Sequence, residues 1–369
     1  MTASWSALPT FYDEAHVRLG QSLSSRAGDP PGDEPGDAVA WLAKLDVYPL
    51  LAPEATSSGA PSAPSVRSLC VAREILAYRS PMADAIFAVQ GLAAHPLVME
   101  GRHADLVAQV VAARRLGGFA LTEPEAGSDV ASLRATAKRD GDAWRLDGEK
   151  TLISNVGIAH FFVVFANADP SAGKKGISAF LVAADASGLE LEPIETMDDH
   201  PLGRLVMRGA PGELLGEVGQ GLRFAFGTLD VFRTSVGAAA VGIGQRALDE
   251  AIARVKGRMQ FGKALAEFQL VQASLAEMAT DLDAARLLVA RAAWAKDTGR
   301  AGKTEVAMAK MFATEAAQRI VDRAVQLHGG LGVVRGSPVE SLYRSVRAMR
   351  IYEGTTEIQK LIIGGALTS

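Results

Sequence analysis

The spacing of apolar residues changes twice along this 369-residue chain, and those two changes limit the folds open to it. Up to about Gly118 apolar positions recur every three or four residues, as at Trp41, Leu42 and Leu45, and again at Leu69, Ala72, Ile75 and Leu76. Such spacing lines one face of a helix. The helical pattern covers residues 1–26, 37–50 and 66–115, with a last helix ending near Gly117. Between these stretches, 27–36 and 52–65 are loops by composition. From about Gly118 to about Leu215 the period falls to two. Residues 143–147 alternate after a turn at 139–142, 161–165 and 177–182 read as buried strands, and 189–194 alternate again. The helical period then returns. Residues 236–255 are rich in Ala and Gly, which permits close helix approach. Val271, Leu275, Met278, Leu282 and Val289 form the stripe of a bundle helix. Thr304, just ahead of Glu305, is expected to cap a helix through Leu327. Three domains follow: a helical domain at 1–117, a β domain at 118–215 and a helical bundle at 216–369.

Charge and cysteine content exclude several function classes. The net charge is −4, with both signs interspersed, so no basic face for nucleic acid is expected. The single cysteine, Cys70, excludes an intrachain disulfide and a cysteine-built metal site, and it reads as buried. The six histidines lack ligand-like spacing, so no metal is expected. Met1-Thr2-Ala3-Ser4-Trp5-Ser6 has no basic segment leading into an apolar core, so no signal peptide is read. No uninterrupted apolar run approaches the roughly 20 residues of a membrane span. The cytoplasm is the expected compartment.

Five short motifs carry chemistry. Residues 350–359 read Arg-Ile-Tyr-Glu-Gly-Thr-Thr-Glu-Ile-Gln. They set a carboxylate, Glu353, among apolar and aromatic neighbours, ahead of a Gly-Thr-Thr that can start a helix. Desolvation makes such a carboxylate a stronger base than one in water. Residues 119–129 end an apolar run in Thr122-Glu123-Pro124 and open into Gly127-Ser128-Asp129, a turn whose amides and hydroxyls suit a phosphate. Residues 148–155 read as a turn feeding a strand. Arg258-Met259-Gln260-Phe261-Gly262-Lys263, followed by Gln269, and Gln326-Leu327-His328-Gly329-Gly330 complete the set.

In that order and at those separations, the motifs resemble the acyl-CoA dehydrogenases, over the chain from about Gly118 to the C-terminus. The resemblance implies an α+β fold: an N-terminal helical domain, a small middle β-barrel and a C-terminal four-helix bundle. It makes Glu353 the base that takes the α-proton of an acyl-CoA thioester while the β-hydrogen passes as hydride to FAD. Glu353's own backbone N–H then helps to polarise the thioester carbonyl. Leu121, Thr122, Gly127, Ser128, Ile153 and Ser154 are implied to hold the flavin and its pyrophosphate. Arg258, Phe261, Gln269, Gln326, Gly329 and Gly330 are implied to contact the adenosine half of a FAD held by a neighbouring subunit, and Thr355 and Glu357 to touch FAD beside the base. Ser128, Asp230, Arg233 and Gly354 are implied to meet the acyl-CoA. The chain departs from the family at Leu152, where Trp is frequent, and at Ser345, where many members have Asp. A minority branch carries its base at the position of Phe232, which offers none. The resemblance further implies an electron-transfer flavoprotein as acceptor and a homodimer or homotetramer. Two alternatives stand beside this reading: an acyl-CoA oxidase on the same fold, and a non-catalytic member acting as a binding partner.

Overall fold

A computed structural model describes residues 4–53, 63–141, 143–300 and 302–368. Helix α1 (Glu14–Ala27) starts where the Asp13 carboxylate accepts the N–H groups of Ala15 and His16. Helix α2 (Pro35–Lys44) begins inside the stretch expected to be loop. Proline fits a first turn, since its fixed φ suits the helix and it has no N–H to leave unpaired. Of the second expected loop, residues 54–62 lie outside the described residues, and Ser65 caps α3 (Val66–Arg79) by accepting the Ser68 N–H. Helix α4 (Pro81–Glu100) follows. Among the described residues it alone is long and apolar enough to cross a membrane by length and composition, although Asp84, Gln90 and His95 interrupt its apolar run. Some 78% of its most apolar stretch is buried within the protein, so it is a core helix. Helix α5 (Ala104–Val111) stops short of Gly117. Gly117 instead opens a strand, because its Cα lies against β-sheet neighbours: a Cβ there would sit 2.5 Å from the Phe161 ring.

Seven strands follow: β1 (Gly117–Ala120), β2 (Thr136–Asp140), β3 (Ala143–Ser154), β4 (Phe161–Asn167), β5 (Ile177–Ala183), β6 (Leu189–Pro193) and β7 (Leu202–Leu215). The path β4-β2-β3-β7-β5 returns on itself, because β4 also pairs with β5, and this closes a small barrel. Strands β1 and β6 attach to β4 and β7. Leu146, Phe162, Val164, Phe180, Val182 and Leu205 fill the interior. No turn interrupts β3 at Gly148, contrary to expectation. The glycine serves close approach, since a Cβ would lie 2.8 Å from the Ala135 Cα, and the register with β7 shifts just before it.

The C-terminal elements are α6 (Gly221–Gly257), a hairpin of β8 (Met259–Gln260) and β9 (Lys263–Ala264), α7 (Gln269–Asp297), α8 (Lys303–His328), α9 (Pro338–Met349) and α10 (Thr356–Thr368). Thr304 does not cap α8. It lies within the first turn, and Gly302 holds the cap position with no side-chain bond. By packing, the chain forms two units: Met1–Pro30, Ser65–Asp84 and Arg233–Ser369 make one, Pro31–Pro64 and Ala85–Phe232 the other. In the first unit small residues bring helices together, as at Gly237, where a Cβ would lie 2.8 Å from Val289. Cys70 is buried there, as expected.

Candidate active site

Glu353 sits in the turn between α9 and α10, and the turn is tied down at nearly every residue. The Thr356 N–H donates to the Arg350 carbonyl at 3.1 Å. From α8, the Glu315 carboxylate accepts both the Arg350 guanidinium (2.8 Å) and the Thr356 hydroxyl (2.7 Å). The Thr355 hydroxyl accepts the Ile358 N–H at 3.3 Å, starting α10. These bonds hold two successive left-handed residues, Glu353 at φ 53° and Gly354 at φ 94°. For a glutamate that conformation costs about 1–2 kcal/mol. Three donors offset it: Arg233 Nε reaches the Glu353 carbonyl at 2.9 Å, and Lys310 Nζ and Gln359 Nε2 each reach the Gly354 carbonyl at 2.9 Å.

Glu353 is one of six described non-glycine residues at positive φ, a strained conformation that recurs at functional sites. The residue is half-buried overall, yet its Oε2 is buried with no hydrogen-bond partner. Burial raises the proton affinity of the carboxyl, while the charges of Arg73, Arg233 and Lys310 lower it, and burial wins. Arg73 is itself buried, donating twice to Asp84 (2.9 and 2.8 Å) and once to the Ser235 hydroxyl (3.0 Å). The arrangement is a desolvated base with a free lone pair, kept within reach of ionisation by surrounding cations.

In the barrel unit, the Thr-Glu-Pro loop lies along the end of β3. The Thr151 N–H donates to the Thr122 carbonyl at 3.0 Å. Lys150, fully buried, donates to the Leu121 carbonyl (3.1 Å) and to Glu123 Oε1 (2.7 Å). Glu123 also accepts the N–H groups of Arg134 and Ala135. These bonds dock Leu121 and Thr122 against Lys150 and Thr151 of β3, the strand that carries Ile153 and Ser154. Gly127 and Ser128 are exposed, and a Cβ at Gly127 would meet nothing within 4 Å. Leu152 and Asn155 both hold positive φ (55° and 66°), and Leu152 is exposed. Asn155 donates to the Gly117 carbonyl and leaves a buried Oδ1 unpartnered.

A third group lies at the end of α8. Arg258, Gln326, Gly329 and Gly330 line one cavity of about 670 Å³ together with Arg254 and Gln260. Gly329 and Gly330 present open faces to it, with nothing within 4 Å of an added Cβ. His328 is a packing residue: its Nδ1–H donates to the Ala324 carbonyl at 2.7 Å. Phe261 and Gln269 stand outside the cavity lining. Phe261 and Gly262 make the two-residue turn of the β8–β9 hairpin with φ 51° and 79°, the pattern of a type I′ turn. Phe261 is 93% exposed in that position, its ring edge-on to Phe268. Gln269 begins α7, exposed. Glu357 is exposed in the first turn of α10, and Thr355 is half-buried. Asp230 and Arg233 are half-buried on α6, and Arg233 is committed to the Glu353 carbonyl. Phe232 is fully buried, packed edge-on against His95.

Spacing alone does not single out Glu123, Lys150, Asn155 or Lys310. A signal existed for two of them. Lys310 falls on the α8 face of Val306, Ala313 and Ala317, and Lys150 falls four residues from Leu146 on β3, so both cations lie on buried faces.

Comparison with known proteins gives the family. Residues 118–210 match the acyl-CoA dehydrogenase middle domain, and residues 219–368 match the acyl-CoA dehydrogenase C-terminal domain. The chain is 40% identical over 309 residues to the probable acyl-CoA dehydrogenase FadE25 of Mycobacterium tuberculosis, covering 81% of this chain and 79% of that protein. It is 38% identical over 289 residues to the caffeyl-CoA reductase–Etf complex subunit CarC of Acetobacterium woodii, covering 75% of each. Its structure superposes on butyryl-CoA dehydrogenase from Megasphaera elsdenii with a TM-score of 0.87 and 29% identity, covering 97% of this chain and 99% of that one. These matches, over a closed barrel unit and a helical unit, define the class as flavin-linked oxidoreductase. The chain belongs to the acyl-CoA dehydrogenase family.

Proposed function

We propose that this protein oxidises an acyl-CoA thioester to the trans-2-enoyl-CoA with FAD as cofactor, passing the electrons to an electron-transfer flavoprotein. The observation that carries the reading is the buried, unpartnered Oε2 of Glu353 in a left-handed turn. A carboxylate without a donor on that oxygen has a lone pair ready for a proton. Its site is dry enough to raise its basicity toward that of the weak carbon acid it must deprotonate.

The residues fit a flavin dinucleotide. Gly127, Gly329 and Gly330 each leave open the space a side chain would fill, and Arg258 brings a permanent charge to the cavity beside Gly329 and Gly330. Leu121, Thr122, Ile153 and Ser154 would hold the ring system, with Gly127 and Ser128 toward the pyrophosphate. When bound, FAD supplies the acceptor for the β-hydrogen and its electron pair. Glu353 takes the α-proton on Oε2, and the electron pair left at the α-carbon becomes the new double bond. Arg233, Lys310 and Gln359 hold the turn so that this oxygen stays aimed as the proton moves.

Similarity to a subunit of a caffeyl-CoA reductase–Etf complex supports the electron-transfer flavoprotein as acceptor. A second copy of the chain is the molecule we assign to the exposed apolar surface at Phe261, Leu331, Val333 and Val334, which supports a homo-oligomer. The test is anaerobic addition of a panel of acyl-CoA thioesters to the yellow protein. At least one bleaches the flavin and appears as its 2-enoyl product by mass; a flavin that stays oxidised across straight, branched and aromatic acyl groups contradicts the reading.

A further inference from the structure

Lys310 is a fully buried ammonium whose hydrogen bond goes to a backbone carbonyl, that of Gly354 at 2.9 Å. Taking an ammonium out of water costs several kcal/mol. A neutral donor would satisfy the same carbonyl at less cost, and one already does, since Gln359 Nε2 donates to it at the same distance. The cation therefore supplies something a hydrogen bond alone does not.

Its surroundings show what that is. The charged groups facing Lys310 are Glu353 in the turn, Arg233 on α6, Glu315 on its own helix and Glu357 on α10. Those facing Glu353 are Arg73 on α3, Asp84 on α4, Arg233 and Lys310. Of the three cations around the base, Arg73 is clamped on Asp84, while Arg233 and Lys310 donate to the successive carbonyls of Glu353 and Gly354 in the turn itself. Asp84 further opposes Arg73 at Glu353. Lys310 thus joins the geometry of the turn to its charge.

We propose that Lys310 is a positioning residue of the dehydrogenation: its buried ammonium holds the Gly354 carbonyl, fixes the left-handed Glu353–Gly354 turn and sets a positive charge beside the Glu353 carboxylate. The inference rests on the reading of Glu353 as base. It goes beyond that reading in making the proton affinity of the base a property of α8. Burial lowers the affinity of Lys310 for its own proton, to a pKa of about 8, and Glu353 is the first of the charges that oppose this. The two groups support each other's charged forms.

Two variants separate charge from hydrogen bonding. Lys310→Met removes both, and Lys310→Gln keeps a donor. The measurement is the pH profile of kcat/KM for flavin-loaded enzyme, with flavin content and its absorption band recorded for each protein. Both variants move the acid limb up by about one pH unit, a tenfold change in proton affinity. Lys310→Met also loses kcat at high pH by tenfold or more with little change in KM, and Lys310→Gln loses less. Should Lys310→Met fail to bind flavin, Lys310→Gln alone decides. An acid limb coincident with wild type in a flavin-loaded variant overturns the proposal. Glu353→Gln is run alongside: activity retained there removes the base itself, which is a different failure from an unmoved limb at Lys310.

Discussion

Replacing Lys150 by Met tests whether the Thr122-Glu123-Pro124 loop is held by a buried ion pair or merely decorated by one. Lys150 is fully buried and Glu123 nearly so, with Nζ and Oε1 2.7 Å apart. Removing one partner of such a pair leaves an unpaired charge inside the protein, at a cost of roughly 3–5 kcal/mol. Two features set the magnitude at the lower end. Glu123 keeps the N–H groups of Arg134 and Ala135, and the straight Met side chain fills the volume left by the lysine stem. We therefore expect a loss of roughly 3 kcal/mol, read as a lower urea midpoint at unchanged slope. Adding Glu123→Gln to Lys150→Met should recover part of it, because the double variant no longer buries a charge. Flavin affinity falls in the single variant, since Lys150 also holds the Leu121 carbonyl. The sign of the pH dependence follows from the same burial. Lys150 titrates near 8 when folded against an ordinary value of 10.5, so the unfolded chain holds the proton to higher pH. Between those values the contribution of this group to stability rises with pH, and Lys150→Met lacks that rise. A single variant that loses less than about 1 kcal/mol, or a double variant whose loss equals the sum of two singles, refutes the reasoning.

Gly354→Ala places a Cβ at φ 94° and 2.7 Å from the Gln359 amide. It should cost about 1–2 kcal/mol of stability and lower kcat more than it raises KM, checked by thermal melting and steady-state kinetics. Light scattering of the flavin-loaded enzyme should give a homodimer or homotetramer, and Phe261→Asp should shift it toward monomer with loss of flavin; a fully active, flavin-loaded monomer would sink the shared-site reading.

Much of this architecture was legible because one physical signal dominated each region. Short continuous apolar runs marked β4 and β5, which are buried along nearly their whole length, with Phe162, Val164, Phe180 and Val182 in the barrel core. Strand β7 was not legible, since Gly203, Arg204, Arg208, Gly209 and Pro211 give it the composition of a loop, and its order comes from pairing with β3, β5 and β6. Strand β2 is polar and exposed along most of its length, so it too is defined by its partners. Glycine misled at Gly148, which serves close packing inside a strand where a turn is the commoner use. At the site, a desolvated carboxylate at Glu353 was expected from its local sequence, although its neighbours Ile351 and Tyr352 are themselves exposed and its burial comes from packing. The groups that tune it come from α3, α6 and α8, at separations that only the packed helices bring together. Arg233 shows the difference most plainly: the motif pointed to the acyl-CoA, and the structure adds a bond to the Glu353 carbonyl.

The most direct test of the account is a single-turnover comparison of wild type and Glu353→Gln, both flavin-loaded, mixed anaerobically with an acyl-CoA that bleaches the wild-type flavin. Glutamine keeps the size and the turn but accepts no proton at neutral pH. The account predicts unchanged flavin content and a bleaching rate lower by roughly 10²-fold or more, the usual contribution of a positioned general base. Bleaching within threefold of wild type would show that the α-proton leaves by another route and would remove Glu353 from the reaction.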